Sequence, residues 1–277
     1  MEIREATKKD KKAIASLCRR SIRHDYVPMF LDDYIREGGL FIALDAGSVV
    51  GMVKHSRCPG GDGWLGAGRT DPNYRRRGVG TAVVAACCRH SASKGASFVR
   101  LWSNRSNKPA QIAVRSMGFK DMGPFVRVMK RVRVKRGRSS LRPERDVKTV
   151  NSLLHGSQLL EESEGYVGVG NRFIKMNSKA VSELTRAGKM FRTGDGICWI
   201  EDRAWGDVWT GVIEFSILAG DPESLLKEVE TYTRQRGFTE LHVYFPAKTR
   251  ALQTSKRLGF KTVSWGSDVV LFEKRVR

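Results

Sequence analysis

The chain has 277 residues, 40% of them apolar, and a formal net charge of +21. That length holds two domains of ordinary size, and that apolar content excludes a disordered chain. The apolar runs fall short of the ~20 residues of a membrane span and no charged-then-apolar leader opens the sequence, so a cytoplasmic protein with no membrane partner is expected.

In chain order, Glu2–Thr7 reads as a short strand running into a helical pattern. His24-Asp25-Tyr26 stands between the first two helical patterns. It sets a ring that can shuttle protons beside a carboxylate and a phenol, or else it is a capped helix-end loop. A strand is predicted over Val49–Arg57, carrying His55. A further apolar run, Trp64–Ala67, leads into Thr70-Asp71-Pro72-Asn73-Tyr74-Arg75-Arg76-Arg77-Gly78-Val79-Gly80-Thr81, after which Ala82–Lys94 has a helical pattern. Strand, basic glycine turn and helix form a device for holding phosphate. Gly78 and Gly80 allow a tight turn and a close approach, and the first N–H groups of the helix have no intrahelical partner. The helix dipole and three arginines make the ligand an anion, a pyrophosphate by preference. Asp71, before proline, is assigned to shaping the turn.

Two rival nucleotide motifs fail on context. A dinucleotide fingerprint needs a third glycine and an acid about 20 positions on, where Val83 and Arg100 stand. A phosphate loop ending in Gly-Lys-Ser/Thr is absent. The run Gly165-Tyr166-Val167-Gly168-Val169-Gly170 is followed by no apolar helix and reads as a loop. The five cysteines (Cys18, Cys58, Cys87, Cys88, Cys198) lack paired metal-ligand spacing, so they read as core residues of a reduced protein and no metal is expected.

Downstream of the turn come a strand over Phe98–Trp102 and then Asn107-Lys108-Pro109-Ala110, a helical pattern, and Gly118-Phe119. The turn and this second signature, in this order and separation, resemble the GNAT superfamily of acetyl-CoA-dependent N-acetyltransferases over residues 1 to about 133. The resemblance implies that Arg75, Arg76, Arg77, Gly78, Val79, Gly80 and Thr81 grip the pyrophosphate of acetyl-CoA. It implies further that the backbone of Gly68, Arg69 and Thr70 meets the pantetheine and acetyl carbonyl, and that Asn107 contacts the pantetheine arm. A thiolate-protonating tyrosine often found in the family is replaced by Val114, and Trp64–Arg69 lacks the usual carboxylate base. His24, Asp25 and His55 are therefore the candidate proton carriers.

The second half repeats the pattern. Lys94-Gly95 is matched by Arg236-Gly237, and Ala110 with Gly118-Phe119 by Ala251 with Gly259-Phe260, at the same spacing of eight. Each half ends on an expected strand, Phe125–Arg133 and Asp268–Arg275. A self-similar ladder of this length implies duplication. The expected fold is therefore α/β: two tandem GNAT folds, each a mixed, mostly antiparallel sheet flanked by helices. Residues 1–135 form the intact domain, 136–148 a basic connector and 149–277 the degenerate domain. In the second copy the turn becomes Gly220-Asp221-Pro222-Glu223, an ordinary helix start with carboxylates where phosphate would sit.

Residues 1–148 hold 32 Lys/Arg against 13 Asp/Glu, and residues 149–277 hold 18 against 16. Solvated surface, steering of a polyanionic cofactor, and nucleic-acid contact through the connector all fit this excess, although no aromatics interleave the connector. The expected function is transfer of acetyl from acetyl-CoA to an amine on a protein, an aminoacyl group or a small molecule, with acidic or RNA-linked acceptors favoured. The alternative is a non-catalytic acyl-CoA-binding module or an RNA- or polyanion-binding protein on the same scaffold.

Overall fold

The computed structural model describes residues 1–134, 137–201, 211–264 and 266–277. Lys135 and Arg136, at the expected end of the first domain, lie outside the described residues. The first half runs β1 (Glu2–Glu5), α1 (Lys11–Ser21), α2 (Leu31–Glu37), β2 (Leu40–Asp45), β3 (Ser48–Arg57), β4 (Gly63–Thr70), α3 (Val79–Ser93), β5 (Phe98–Asn104), α4 (Lys108–Ser116) and β6 (Lys120–Arg131). There follow β7 (Arg142–Pro143), α5 (Val147–Leu154), α6 (Gln158–Glu162), β8 (Tyr166–Val169), β9 (Arg172–Lys175), α7 (Ser178–Arg186), β10 (Met190–Thr193), β11 (Gly196–Glu201), β12 (Val212–Ala219), α8 (Pro222–Gln235), β13 (Glu240–Pro246), α9 (Arg250–Arg257), β14 (Lys261–Thr262) and β15 (Asp268–Arg275). This is a mixed α/β fold whose sheet is mostly antiparallel and flanked by helices, as the sequence implies.

Two compact units are present, and they do not divide at one point along the chain. Unit 1 comprises Met1–Trp102, Pro109–Asp121 and Phe272–Arg277; unit 2 comprises Ser103–Lys108 and Met122–Leu271. The sequence leads one to expect that each half closes on its own last strand. Instead, the end of the chain completes unit 1, and most of β6 belongs to unit 2.

In unit 1 the strands run in the order β1-β2-β3-β4-β5-β15. The reason for the exchange is visible in side chains. The Arg100 guanidinium, 2% exposed, lies between Asp62 (2.9 Å) and Glu273 (2.7 Å). Val276 N–H donates to Ser97 O, Lys274 Nζ to Met117 O, and Arg115 lies over the Phe272 ring. A guanidinium removed from water must be paired, and the C-terminal residues supply one of its two carboxylates.

In unit 2 the order is β6-β13-β12-β11-β10-β7, with β14 also against β6. Val128 and Val132, from the strand expected to end the first domain, pack in its core with Phe215, Leu226, Val243 and Phe260. The expected connector is built into this unit. Leu141 is buried, Arg142–Pro143 pair with β10, and Ser139 Oγ donates to Glu228. The glycine run at 165–170 is not a loop but contains β8, which pairs with β9 through Tyr166↔Lys175 to Val169↔Arg172. Gly170 and Asn171, both with positive φ, make the two-residue turn that a hairpin requires. The alternation of Tyr and Val with glycine is the strand signal that the glycine content masked.

Candidate active site

The site is built on β3, β4 and α3 of unit 1. In β3 and β4 the register places Met52 opposite Arg69 and Lys54 opposite Gly66, so Ala67 and Gly68 together face Val53 alone. This is a β-bulge, and Ala67 has φ of +52°. The parallel pairing of β4 with β5 is confined to Gly63↔Val99 and Trp64↔Arg100, before the bulge. From there β4 carries backbone groups that β5 does not take up, and Gly66 and Gly68 leave them uncovered by side chains.

β4 ends at Thr70, and Asp71 begins the turn. Its carboxylate accepts from Asn73 N–H (3.0 Å) and pairs with Arg20 (2.8 Å). Burial works against its charge, but these bonds outweigh it and hold the carboxyl below its usual range. Asp71 therefore fastens the turn to the end of α1, which is the structural role expected of it.

The turn passes through Arg76 with φ of +62° and Gly78 with φ of +76°, and α3 opens at Val79. No side chain caps that opening, so the leading N–H groups of Val79, Gly80 and Thr81 point outward without a side-chain acceptor. Arg75, Arg76 and Arg77 are exposed around them, with Arg77 over the Tyr74 ring. Close packing lets the helix start here: a Cβ on Gly51 would lie 2.4 Å from Val79 Cγ1. Uncapped N–H groups, a dipole and arginines make an anion site.

The candidate proton carriers fall in three different settings. His24, with φ of +55°, is exposed on the loop between α1 and α2. Asp25 accepts a forked bond from Arg69, 2.6 Å to each of its oxygens, with side chains 2% and 8% exposed. Burial opposes its charge, yet the Arg69 guanidinium and the Val27 N–H keep its proton affinity below the ordinary carboxylate range. That carboxylate serves as an ionic anchor and makes a poor base. Arg69 also lies over the Tyr26 ring (5.5 Å), and burial pushes the Tyr26 phenol up.

His55 is buried on β3 with its ring 5.0 Å from that of His90. His90 lies eleven residues beyond Val79, about 16 Å along α3. His55 therefore faces the far end of that helix. Val114 is buried in α4, and Asn107 is exposed just before it, its N–H donating to Asn104 O (2.9 Å).

Neither the Arg69–Asp25 pair nor the bulge is among the features expected from the sequence. The Gly66-x-Gly68 spacing in a strand was the available signal for the bulge. The long-range pair had none. Among the described residues, no group of three or more His, Cys, Asp or Glu is placed to hold a metal, and no helix is long and apolar enough to cross a membrane.

The site therefore joins a bulged strand, beside which the parallel pair separates, to a helix that opens on an anion turn. Residues 7–119 match the acetyltransferase (GNAT) family. Solved structures share the fold along the whole chain. A candidate acetyltransferase from Thermoplasma acidophilum aligns with TM-score 0.61 at 13% identity, covering 99% of this chain and 100% of that one. Another, from Pyrococcus horikoshii, gives 0.60 at 16%, covering 99% and 89%. A GCN5-related N-acetyltransferase from Sphaerobacter thermophilus gives 0.59 at 14%, covering 100% and 96%. A comparison with curated proteins gave no match. The match over residues 7–119 supports an acyltransferase, and the solved structures show the fold.

Proposed function

We propose that unit 1 binds acetyl-CoA and transfers its acetyl group to an amine. The observation that carries this reading is the uncapped start of α3 beside the bulge of β4. The turn from Arg75 to Thr81 takes the pyrophosphate. The backbone of Gly68, Arg69 and Thr70, at the bulge and just after it on the side of β4 that β5 leaves, meets the pantetheine arm and polarises the thioester carbonyl. A backbone N–H aimed at developing oxyanion charge is a large term in acyl transfer. Because Val114 offers no proton, the departing thiol leaves as thiolate or takes a proton from water, which its ordinary pKa near 8.5 permits. His24, exposed and outside the ion pair, is the proton carrier for the acceptor amine. The acceptor is an amine on a protein, an aminoacyl group or a small molecule.

Unit 2 is read as a degenerate copy that takes no cofactor. Its helix α8 is capped: Asp221 accepts from Ser224 N–H (2.8 Å), and Pro222 and Glu223 follow. Gly220 serves packing, since a Cβ there would lie 2.6 Å from Gly196 Cα. On β12 the irregular register falls at Leu218, whose carbonyl already accepts from Ser157 Oγ. The Leu218 carbonyl and the Ser224 N–H are thus satisfied within the unit.

Calorimetric titration of acetyl-CoA tests this. Binding of about one equivalent, abolished in Gly80→Glu, supports a single site in unit 1. A Cβ at Gly80 would lie 3.5 Å from Thr70 Oγ1, an ordinary contact, so the substitution adds charge without a clash. Absence of binding to the wild-type protein removes the enzymatic reading.

A further inference from the structure

The connector is the expected place for nucleic-acid contact, but much of its described part is committed to folding. Arg142 Nη1 donates to Ser139 O and Leu141 O, and Arg145 packs against Gly188. Unit 1 carries a row of open basic residues along one helix. Lys8 and Lys9 precede α1, Lys12 and Arg19 lie on it, and Arg23 follows it. All five are exposed, and none has an ion-pair partner among the described residues. Lys12, Ser16 and Arg19 share one helical face at spacings of four and three, which puts them in a row. The neighbouring cations do have partners: Lys11 pairs with Asp32, Arg20 with Asp71, and Arg4 with Asp10. Those pairs mark the edges of the row. Through the Arg20–Asp71 contact its C-terminal end adjoins the turn with exposed Arg75 and Arg76, and with Arg77 resting on half-buried Tyr74.

We propose that this face, from Lys8 along α1 to Arg23, binds the phosphodiester backbone of a nucleic acid. Eleven helical residues span about 16 Å, and the flanking lysines and Arg23 extend the row. That length suits several successive phosphates. Unpaired cations on a rigid helix lose little by engaging them, since no internal ion pair must first break. An arrangement of this kind reads charge and spacing and not base sequence, so affinity depends on salt. The proposal stands independently of the acetyltransferase reading, because it uses none of the residues assigned to the cofactor.

The test is retardation of a structured RNA hairpin and of a DNA duplex by the full-length protein across a salt series, with Lys12→Glu/Arg19→Glu beside it. A control, Arg89→Glu/Lys94→Glu, makes the same charge change at exposed positions at the other end of α3. The expected result is at least tenfold weaker binding in the α1 variant. Its log–log salt slope should be shallower by about 1.5 to 2, with acetyl-CoA binding unchanged and the control within about twofold of wild type. Preference for RNA or for DNA identifies the source of the backbone. The proposal is overturned if the wild type retards neither probe near 0.1 M salt, if the control loses as much as the α1 variant, or if an acidic polypeptide competes as well as either nucleic acid.

Discussion

Arg69 and Asp25 lie 44 residues apart and meet through two bonds of 2.6 Å with both side chains out of water. Deleting one member leaves the other charged and unpaired, which costs about 3–5 kcal/mol, whereas replacing both with apolar residues is close to neutral. Asp25→Asn should therefore lower the denaturant midpoint of unfolding sharply, and Asp25→Leu with Arg69→Met should recover most of it. An unchanged midpoint in Asp25→Asn would show that the pair does not hold the loop. In unit 2, burial lowers the pKa of His242 to about 4, and Arg127 adds to the shift against the pull of Glu240. The sign follows from the unfolded chain, whose imidazole near 6.5 takes up a proton first. Stability is full above pH 6.5 and falls, by on the order of 1 kcal/mol per pH unit, as pH drops from there to 4. His242→Phe should flatten that slope in urea titrations at several pH values. An equally steep slope in the variant would assign the acid sensitivity to other groups.

At the scale of elements, the turn before α3 tests how much conformation alone contributes. Gly78 has φ of +76° and open space where a Cβ would stand, so Gly78→Ala should cost about 1–2 kcal/mol through backbone strain and not through a clash. Gly51→Ala is the opposite case, with ordinary φ but a methyl 2.4 Å from Val79 Cγ1. It should cost about 1–3 kcal/mol by overpacking. Val79→Ala placed beside it should restore both stability and acetyl-CoA affinity, read by melting and by calorimetry. This contrast also shows what the sequence could carry. The glycines, the proline and the arginine run of the turn are local signals, and they mark the turn and the helix after it. The bulge at Ala67–Gly68 depends on how β3 is registered against β4, and Ala67 carries no sign of its positive φ. The hairpin of β8 and β9 was hidden because glycine in a strand resembles glycine in a loop until a partner strand is known. His55 looked eligible as a base because its strand was legible while the face it presents, toward His90, was not.

For the whole molecule the consequential fact is which residues complete which unit. Self-similarity between the halves showed that each should end on a strand, but it said nothing about which sheet each strand joins, because both strands have similar alternation and length. The folded chain assigns Phe272–Arg277 to unit 1 and Met122 onward to unit 2. A protein cut at residue 135, where a linear reading ends the first domain, would therefore lose Glu273 beside Arg100 and Phe272 beside Arg115. It would also keep Val128 and Val132 with no core to enter. Both defects act in the same direction: a buried guanidinium loses one of its two carboxylates, and apolar strand residues are exposed. The expected outcome is that residues 1–135 are aggregated or unfolded and do not bind acetyl-CoA, although they contain the whole anion turn. Full-length Glu273→Gln isolates the ionic part. Leaving Arg100 with Asp62 alone, it should lower the melting temperature while cofactor binding survives in whatever fraction remains folded. A fragment 1–135 that is monomeric, melts cooperatively and binds acetyl-CoA as tightly as the full chain would show that the terminal strand is dispensable to unit 1.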